Sequence, residues 1–542
     1  MKKHYGLIIF YSIIGIIAGL SGFLFIALVN QVIEMSISRS MPEEHNYFLF
    51  FSLIILLFFV SRRMLSEGIV KYSQYTFWSL RKSIIENTIK APYTKVKNLK
   101  SDIYSALTAD VNDITNASLV IIVFTSSIIL VFTCFVYLWH LSHILFLISI
   151  ACIALGILIY FRNAKVGNKN FKIVRELEND FMGLFNSVLD GIKEIKVNPD
   201  KGNDLFDSKL KPLATDAEHR NINAYIGYLN SQLLSQMLFY CIIAIILIPV
   251  GNYFSIELGT TVSFVFALLY LLGPIVTIMV NIPILNKALI SYKKLKNLNT
   301  SLQYKEQTEE TNTPVLEKNQ PFEVISLKKY SYTHKDSLFS IGPTNISIKA
   351  KEIVFIYGGN GSGKTTFIRT LLHLYSPDEG VVKVNQKTVK KENLSATRSL
   401  FSPVFSDFYL FNDFYGIKNL DVKKVNSLIK LFELEDKVKI KKGKFSTTDL
   451  STGQKKRLAL ISAILEDRPI LVLDEWAADQ DPGFRKKFYT KIIHKLVKEE
   501  HKTIIAITHD DQYYKEADRL FKMNYGKLVE ITNNTKKIII DQ

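Results

Sequence analysis

Six long apolar segments occupy the first half of this 542-residue chain and constrain its fold most strongly. A helix needs roughly 20 predominantly apolar residues to cross the hydrocarbon core of a bilayer. Lipid offers no partners for backbone polar groups, so apolar segments of this length cross as helices. The sequence therefore predicts an all-α six-helix transmembrane domain. The spans are expected at about residues 5–33, 46–66, 118–140, 142–161, 223–250 and 257–282.

The first apolar segment follows Met1-Lys2-Lys3, as it would in a secretory signal. It continues to about Ile33 without a small-residue cleavage site, which is longer than the apolar part of a signal peptide. We expect it to be a retained first helix.

The distribution of charge predicts the orientation of the spans. A net charge of +17 could by itself suggest a nucleic-acid partner. The basic residues of the first half, however, lie in two long connections, about 61–117 and 161–222. Such an excess marks cytoplasmic loops, so both termini and both connections are expected in the cytoplasm. We expect membrane lipid and not nucleic acid as the partner of this charge. Usage rich in Lys, Ile and Asn suggests a bacterium, and hence its cytoplasmic (inner) membrane.

A glycine-rich loop in the second half predicts a nucleotide site. Residues 358–366 match the pattern GxxxxGK[ST] between an apolar strand, Glu352–Tyr357, and a helical pattern, Phe367–Leu374. Converging backbone N–H groups and the helix N-terminus bind phosphates, Lys364 contacts the β- and γ-phosphates, and Thr365 binds Mg²⁺. The residues of this loop expected to bind ATP are Gly358, Asn360, Gly361, Ser362, Gly363, Lys364, Thr365 and Thr366.

Two acidic residues and a histidine extend this site. Asp474 ends the apolar strand that begins at Ile470, where its carboxylate can hold Mg²⁺. Glu475 follows and is placed to act as general base on the attacking water. His509 follows the strand Thr503–Thr508 and can bond the γ-phosphate. We predict Glu475, His509 and Lys364 as catalytic residues.

The pentapeptide Leu450-Ser451-Thr452-Gly453-Gln454 lies between the phosphate loop and the acidic strand. In this order it resembles the signature of ATP-binding cassette (ABC) ATPases, and essentially the whole chain resembles an ABC exporter half-transporter, which works as a dimer. The resemblance implies an α/β P-loop ABC ATPase domain at 322–542, after a transmembrane domain at 1–299 and a linker at 300–321. It implies that the signature of one subunit closes over ATP held by Lys364 of the other. The further residues that it assigns to the nucleotide are Tyr332, Ser451, Thr452, Gly453, Gln454 and Asp481.

The run Asp474-Glu475-Trp476-Ala477-Ala478-Asp479-Gln480-Asp481-Pro482 narrows the resemblance. It is similar to the branch that exports cyclic peptides, siderophore precursors and syringomycin-type lipopeptides. One departure concerns the family's metal-contacting Gln, which should fall near residues 404–407. The chain has Ser406-Asp407 there and no Gln, so either Asp407 serves as the metal ligand or the contact is lost.

These features together predict a homodimeric exporter that hydrolyses Mg²⁺-bound ATP to move a peptide-like small molecule outward. A flippase for lipid or a lipid-linked precursor, a multidrug exporter, and a non-transporting membrane ATPase are the alternatives. No Asp, Glu, Lys or Arg lies deep in a span, so no ion-coupling site is indicated. The fifth span carries polar residues that either line a cargo cavity or join helices by hydrogen bonds. They are Asn230, Gln232, Ser235 and Gln236.

The helical spacing of apolar residues in the two long connections predicts helices that continue into the cytoplasm. Their turns are expected near Ala91–Asn98 and Val197–Phe206. These helices either stabilise the bundle or transmit the motion of the ATPase, and we favour transmission.

Overall fold

A computed structural model describes residues 2–37, 45–247, 257–302, 316, 320–334, 339–390, 394–417 and 419–531. The chain forms two compact units, residues 1–304 and 305–542. Most of the expected linker, and the last three residues of the fifth expected span, lie outside the described residues.

The described part of the first unit is helical. In chain order its helices are α1 (Lys2–Ile37), α2 (His45–Lys90), α3 (Tyr93–Asn98), α4 (Lys100–Ser105), α5 (Val111–Leu141), α6 (His143–Asp190), α7 (Ile192–Val197), α8 (Pro199–Leu205), α9 (Lys211–Ile245) and α10 (Leu258–Leu302). Two π-helical turns, Ala106–Asp110 and Phe206–Leu210, continue α4 into α5 and α8 into α9.

Six of these helices, α1, α2, α5, α6, α9 and α10, contain stretches long and apolar enough to cross a membrane. The six-helix prediction is therefore confirmed. Helices α2 and α6 run beyond their apolar parts, to Lys90 and Asp190, as the helical spacing indicated. A buried cluster that includes Cys134, Leu138, Phe239 and Phe264 packs α5, α9 and α10 together.

The second unit is built on two main sheets. Its strands are β1 (Val324–Thr333), β2 (Ser340–Lys349), β3 (Ile353–Tyr357), β4 (Glu379–Val384), β5 (Lys387–Val389), β6 (Phe401–Val404), β7 (Ile440–Lys441), β8 (Lys444–Phe445), β9 (Ile470–Asp474), β10 (Thr503–Ile507), β11 (Arg519–Asn524) and β12 (Lys527–Ile531). An antiparallel sheet has the order β2-β1-β4-β5, and the central sheet has the order β12-β11-β3-β10-β9-β6. The strands from β11 to β6 in that order are parallel, and β12 is antiparallel.

The helices of the second unit cover the central sheet on both faces. They are α11 (Lys364–Leu371), α12 (Leu394–Thr397), α13 (Val422–Leu431), α14 (Thr452–Leu465), α15 (Pro482–Lys487) and α16 (Ile493–Lys498). Phe367 of α11 packs in one buried cluster with Val354 and Val472, while Leu458 of α14 packs in another with Phe355 and Leu471. Strands buried on both faces read as continuous apolar runs, which explains the composition of β3, β9 and β10.

The strand order positions the functional residues. In an open parallel sheet, ligands bind beyond the carboxyl ends of the strands. Strand β10 lies between β3 and β9. The phosphate loop after β3, Glu475 after β9 and His509 after β10 therefore leave the sheet at the same edge.

Candidate nucleotide-binding site

The phosphate loop joins β3 to α11 through a left-handed glycine. Gly363 has φ 108° and is the N-cap of α11, and a Cβ there would lie 2.9 Å from the Phe339 ring. The Lys364 ammonium folds back over the loop and donates to the carbonyl oxygens of Gly358, at 2.8 Å, and Gly359, at 3.1 Å. Burial lowers the pKa of Lys364, and the charges of Glu475 and Asp474 oppose that shift. The loop thus presents backbone donors and one buried cation.

Asp474 provides a buried carboxylate at the end of β9. Asp474 is only 1% exposed. Its Oδ2 accepts a hydrogen bond from the Ser406 hydroxyl at 3.3 Å. Its Oδ1 is buried without a hydrogen-bond partner. Burial, with a further contribution from Glu475, raises the pKa of Asp474. An unpartnered carboxylate oxygen is a ligand that Mg²⁺ prefers, so the residues present fit that ion.

Glu475, the residue after Asp474, contacts His509. Glu475 has a left-handed backbone, with φ 50° and ψ 37°, and its N–H donates to the Ile507 carbonyl at 3.2 Å. Its Oε1 lies 3.2 Å from His509 Nε2. Both side chains are partly exposed, at 37% and 47%, so water can reach the pair. A carboxylate in this position can accept a proton from water while the imidazole holds its orientation.

An aromatic platform lies on the antiparallel sheet. Tyr332 of β1 stacks on Tyr375, with ring centroids 5.1 Å apart and an interplanar angle of 16°. His334 contacts both rings edge-on. The partly exposed Tyr332 ring, supported by the buried Tyr375, suits the face of a nucleobase.

The signature pentapeptide begins α14. Ser451 is the N-cap, and its hydroxyl accepts from the Gln454 N–H at 3.4 Å while the Gln454 side chain accepts from the Ser451 N–H at 3.3 Å. This capping box leaves further N–H groups of the first turn free to face an anion. At Gly453, a Cβ would approach the Asp479 carbonyl oxygen to 2.5 Å, so the close packing requires glycine.

Asp481 stabilises the segment after the acidic strand. Its carboxylate caps α15 by accepting from the Phe484 N–H at 2.9 Å, and it accepts from the Arg457 guanidinium at 2.8 Å. The Phe484 N–H and the Arg457 charge lower the pKa of Asp481.

The structure separates the roles of Ser406 and Asp407, which stand where the family's Gln was expected. Ser406 contacts Asp474 directly. The Asp407 carboxylate instead pairs with the Arg369 guanidinium at 3.2 Å and is 68% exposed. The sequence predicts a role for Asp407 and none for Ser406, because no local pattern marks a contact between residues 68 positions apart.

The site thus brings Lys364, Asp474, Glu475 and His509 to one edge of the central sheet. Within the described part of the second unit, no hydrogen bond or ion pair joins residues 450–454 to residues 358–366.

This chain is similar to known proteins over most of its length. The profile of the family described as "ABC transporter" matches residues 341–478. "ATP-binding protein SyrD" of Pseudomonas syringae pv. syringae is 31% identical, over 97% of this chain and 94% of that protein. An "ATP-dependent lipid A-core flippase" of Paraburkholderia xenovorans is 25% identical, over 79% of this chain and 73% of that protein. The solved "Structure of a bacterial Atm1-family ABC exporter with ATP bound" has TM-score 0.79 at 14% identity and covers 97% of this chain and 95% of that chain.

A multi-pass helical unit followed by a P-loop ATPase unit defines an ATP-driven membrane transport protein. This chain belongs to the ABC transporter family, and its architecture is that of an exporter half-transporter. It binds ATP through its cytoplasmic ATPase domain and is an ATPase that drives translocation. The predicted family, fold class and enzyme class are confirmed.

Proposed function

We propose that two copies of this chain form an exporter in the bacterial cytoplasmic membrane that moves a peptide-like, lipopeptide or siderophore-type small molecule outward. The observation that carries the proposal is the meeting of Lys364, Asp474 and Glu475 at one sheet edge, in a chain that also contains six helices long and apolar enough to span a membrane. These residues can hydrolyse ATP, and the helices can form the membrane domain that ATP hydrolysis drives.

ATP binds along the phosphate loop in this proposal, with its adenine on Tyr332 and its phosphates on the residues from Gly358 to Thr366. Lys364 exchanges its two carbonyl partners for β- and γ-phosphate oxygens. Thr365 and Asp474 would hold Mg²⁺, which would supply positive charge to the phosphates. Asp407 contributes to the metal only if it leaves its ion pair with Arg369.

Glu475 is the proposed general base. It takes a proton from the attacking water, and His509, 3.2 Å from its carboxylate, keeps that carboxylate oriented and bonds the γ-phosphate. The buried ammonium of Lys364 stabilises the charge of the phosphoryl group in transfer.

The signature completes the site of the partner subunit. Ser451, Thr452, Gly453 and Gln454 begin a helix whose N-terminus attracts a γ-phosphate. The half-transporter architecture supports closure between two chains. Asp481, fixed by Arg457, then lies in the loop that communicates across the dimer. Closure of two such sites shifts the helical unit toward an outward-open state, and hydrolysis resets it. The turns at α3 and α7–α8 are proposed to transmit this motion.

The cargo class is supported by the full-length similarity to SyrD and by the run from Asp474 to Pro482. On α9, Tyr225, Asn230 and Tyr240 are exposed on the isolated chain, which suits a polar and aromatic cargo surface. The lipid A-core flippase relative favours a second candidate, the movement of lipid or a lipid-linked precursor.

Purified protein reconstituted in vesicles distinguishes the two candidates. Labelled cyclic lipopeptide and labelled lipid are offered on the cytoplasmic side with Mg²⁺ and ATP. We expect ATP-dependent accumulation of the peptide-like compound and stimulation of ATP hydrolysis by it. Movement of lipid alone would favour the flippase, and a matched Lys364→Ala preparation controls for leakage.

A further inference from the structure

Lys456 is a buried lysine with two fixed partners. Its side chain is 4% exposed, and its ammonium lies 2.7 Å from Asp479 Oδ2. The same ammonium donates to the main-chain oxygen of Glu475 at 3.0 Å. A buried charge is tolerated only when it is paired and hydrogen-bonded. The position of the ammonium therefore depends on both acceptors, and the acceptors depend on it.

The contact belongs to a larger attachment between α14 and the segment Glu475–Asp481, which we call the D segment. The Trp476 indole N–H donates to the Lys456 carbonyl at 2.8 Å. Arg457 donates to the Gln480 side-chain oxygen at 2.8 Å and to Asp481 at 2.8 Å. Positions 453, 456 and 457 are three and four residues apart and share one helical face. That face of the signature helix is therefore bound to the D segment.

Glu475 needs external support for its backbone conformation. A non-glycine residue with φ 50° occupies a sparsely populated region, and such residues persist only where the surroundings fix them. The N–H of Glu475 is held by the Ile507 carbonyl, and its carbonyl is held by Lys456. Fixing both flanking peptide groups fixes the direction in which the carboxylate leaves the chain, toward His509.

We propose that Lys456 is a positioning residue for ATP hydrolysis: bound to the Glu475 carbonyl and the Asp479 carboxylate, it holds Glu475 in the orientation that activates water. The inference rests on the proposed role of Glu475 as general base. Lys456 lies on α14, the helix that begins with the signature. When α14 moves on contact with nucleotide, the Lys456 ammonium therefore changes the position of Glu475. Engagement at one nucleotide site is thereby linked to the base of the other.

The test compares Lys456→Met with Lys455→Met in the full-length protein in vesicles. Both changes remove one positive charge from the same helix, but only Lys456 binds the D segment. We expect Lys456→Met to lower kcat for ATP by about 10- to 100-fold, the effect of misplacing a reacting group by about 1 Å. We expect KM for ATP to stay within about twofold, because uniform binding is retained. Lys455→Met keeps the parent kcat.

A background of Glu475→Gln separates positioning from general stability. If Lys456 acts through the Glu475 carboxylate, adding Lys456→Met to Glu475→Gln lowers the residual rate no further. A further fall equal to that in the parent background overturns the proposal, as does an unchanged kcat of Lys456→Met itself.

Asp479→Asn provides a second variant at the partly exposed partner if Lys456→Met does not fold. It must lower kcat without raising KM, and full activity overturns the inference. Failure of the proposed function would give a different result. If Glu475→Gln were fully active, Glu475 would not be the general base, regardless of the effect of Lys456→Met.

Discussion

Asp474 is deeply buried, but its carboxylate must be ionised to bind a cation. One of its carboxylate oxygens has no partner, and burial raises its pKa. An ionised carboxylate in such a place costs free energy unless a cation binds it. The ionised Asp474 carboxylate is therefore a local source of instability that a bound cation relieves, a trade between stability and activity that is common at functional sites.

Asp474→Asn is expected to stabilise the nucleotide-free protein at neutral pH by about 1 kcal/mol while abolishing ATP hydrolysis. The variant is the more stable because the pKa of Asp474 is raised in the folded protein. At a pH above that pKa, the buried carboxyl is ionised and destabilises the fold. As the pH falls through that pKa, the parent carboxyl becomes neutral and the advantage of the variant shrinks. Thermal unfolding across a pH series without Mg²⁺ or nucleotide measures the difference.

Asp436→Asn, at an exposed position, serves as the control and should shift unfolding little at any pH. Equal stability of the parent and Asp474→Asn at neutral pH, or an advantage that grows on acidification, would contradict the account of Asp474.

Glu475→Gln is expected to keep ATP binding and to lower kcat by about 100-fold or more, because an amide cannot accept the proton of the attacking water. Nucleotide should remain bound, and closed dimers should accumulate. Single-turnover hydrolysis and retention of labelled ATP after gel filtration measure both effects. Glu435→Gln, at an exposed position, is the control, and undiminished turnover of Glu475→Gln would remove it as base.

At the residue scale, the sequence predicts groups whose chemistry follows from local order. Lys364, Asp474 and Glu475 each stand at a strand or loop end that the flanking residues define. Ser406 and Lys456 could not be predicted in this way. Each acquires its role from a partner distant along the chain, and the left-handed backbone of Glu475 becomes visible only in the fold.

Among the elements of the first unit, α6 is joined to the turn before α5 by a buried ion pair. Arg175 donates to Asp110 at 2.6 Å and to Glu178 at 3.0 Å, and the Arg175 and Asp110 side chains are 11% and 4% exposed. Arg175→Met leaves the Asp110 carboxylate buried without its charge partner. We expect a loss of about 3–5 kcal/mol in stability, measured by thermal unfolding in detergent.

The double variant Arg175→Met with Asp110→Leu should recover much of that loss, because no charge is then left buried. Arg63→Met removes an exposed pair with Glu67 and should cost under about 1 kcal/mol. Equal effects of Arg63→Met and Arg175→Met would contradict the role given to burial.

The elements themselves were predictable where a pattern is long or strict. The length of the apolar runs predicts the six helices, and the strands β3, β9 and β10 follow from short apolar runs before the motifs. The start of α11 at Lys364 precedes the apolar pattern that predicted it from Phe367, because left-handed Gly363 begins the helix immediately after the loop. The pair Arg175–Asp110 joins residues 65 positions apart, which no local pattern indicates.

At the scale of the whole molecule, ATP hydrolysis and transport should fail together. Lys364→Ala removes the cation that the phosphate loop presents to the nucleotide, so both activities are expected to fall to background. Reconstituted vesicles allow both to be measured on one preparation. Exposed Lys437→Ala is the control, and transport that survives in Lys364→Ala would break the link to ATP.

A nucleotide site formed by the phosphate loop of one chain and the signature of its partner gives a different result in mixed dimers from a site formed within one chain. Two differently tagged chains, both carrying Glu475→Gln, are purified as mixed dimers. In the split pair, one chain carries Lys364→Ala and the other carries Ser451→Glu, whose charge repels the γ-phosphate. In the same-chain pair, one chain carries both changes and the other carries neither.

If each signature closes over the partner's phosphate loop, the split pair concentrates both defects in one site and leaves the other intact. It should then retain one ATP per dimer, while the same-chain pair spoils both sites and retains none. Sites contained within single chains give the reverse, because only the same-chain pair keeps an unaltered chain. The stoichiometry of trapped labelled ATP therefore decides between the two arrangements, and it does so before any cargo is known.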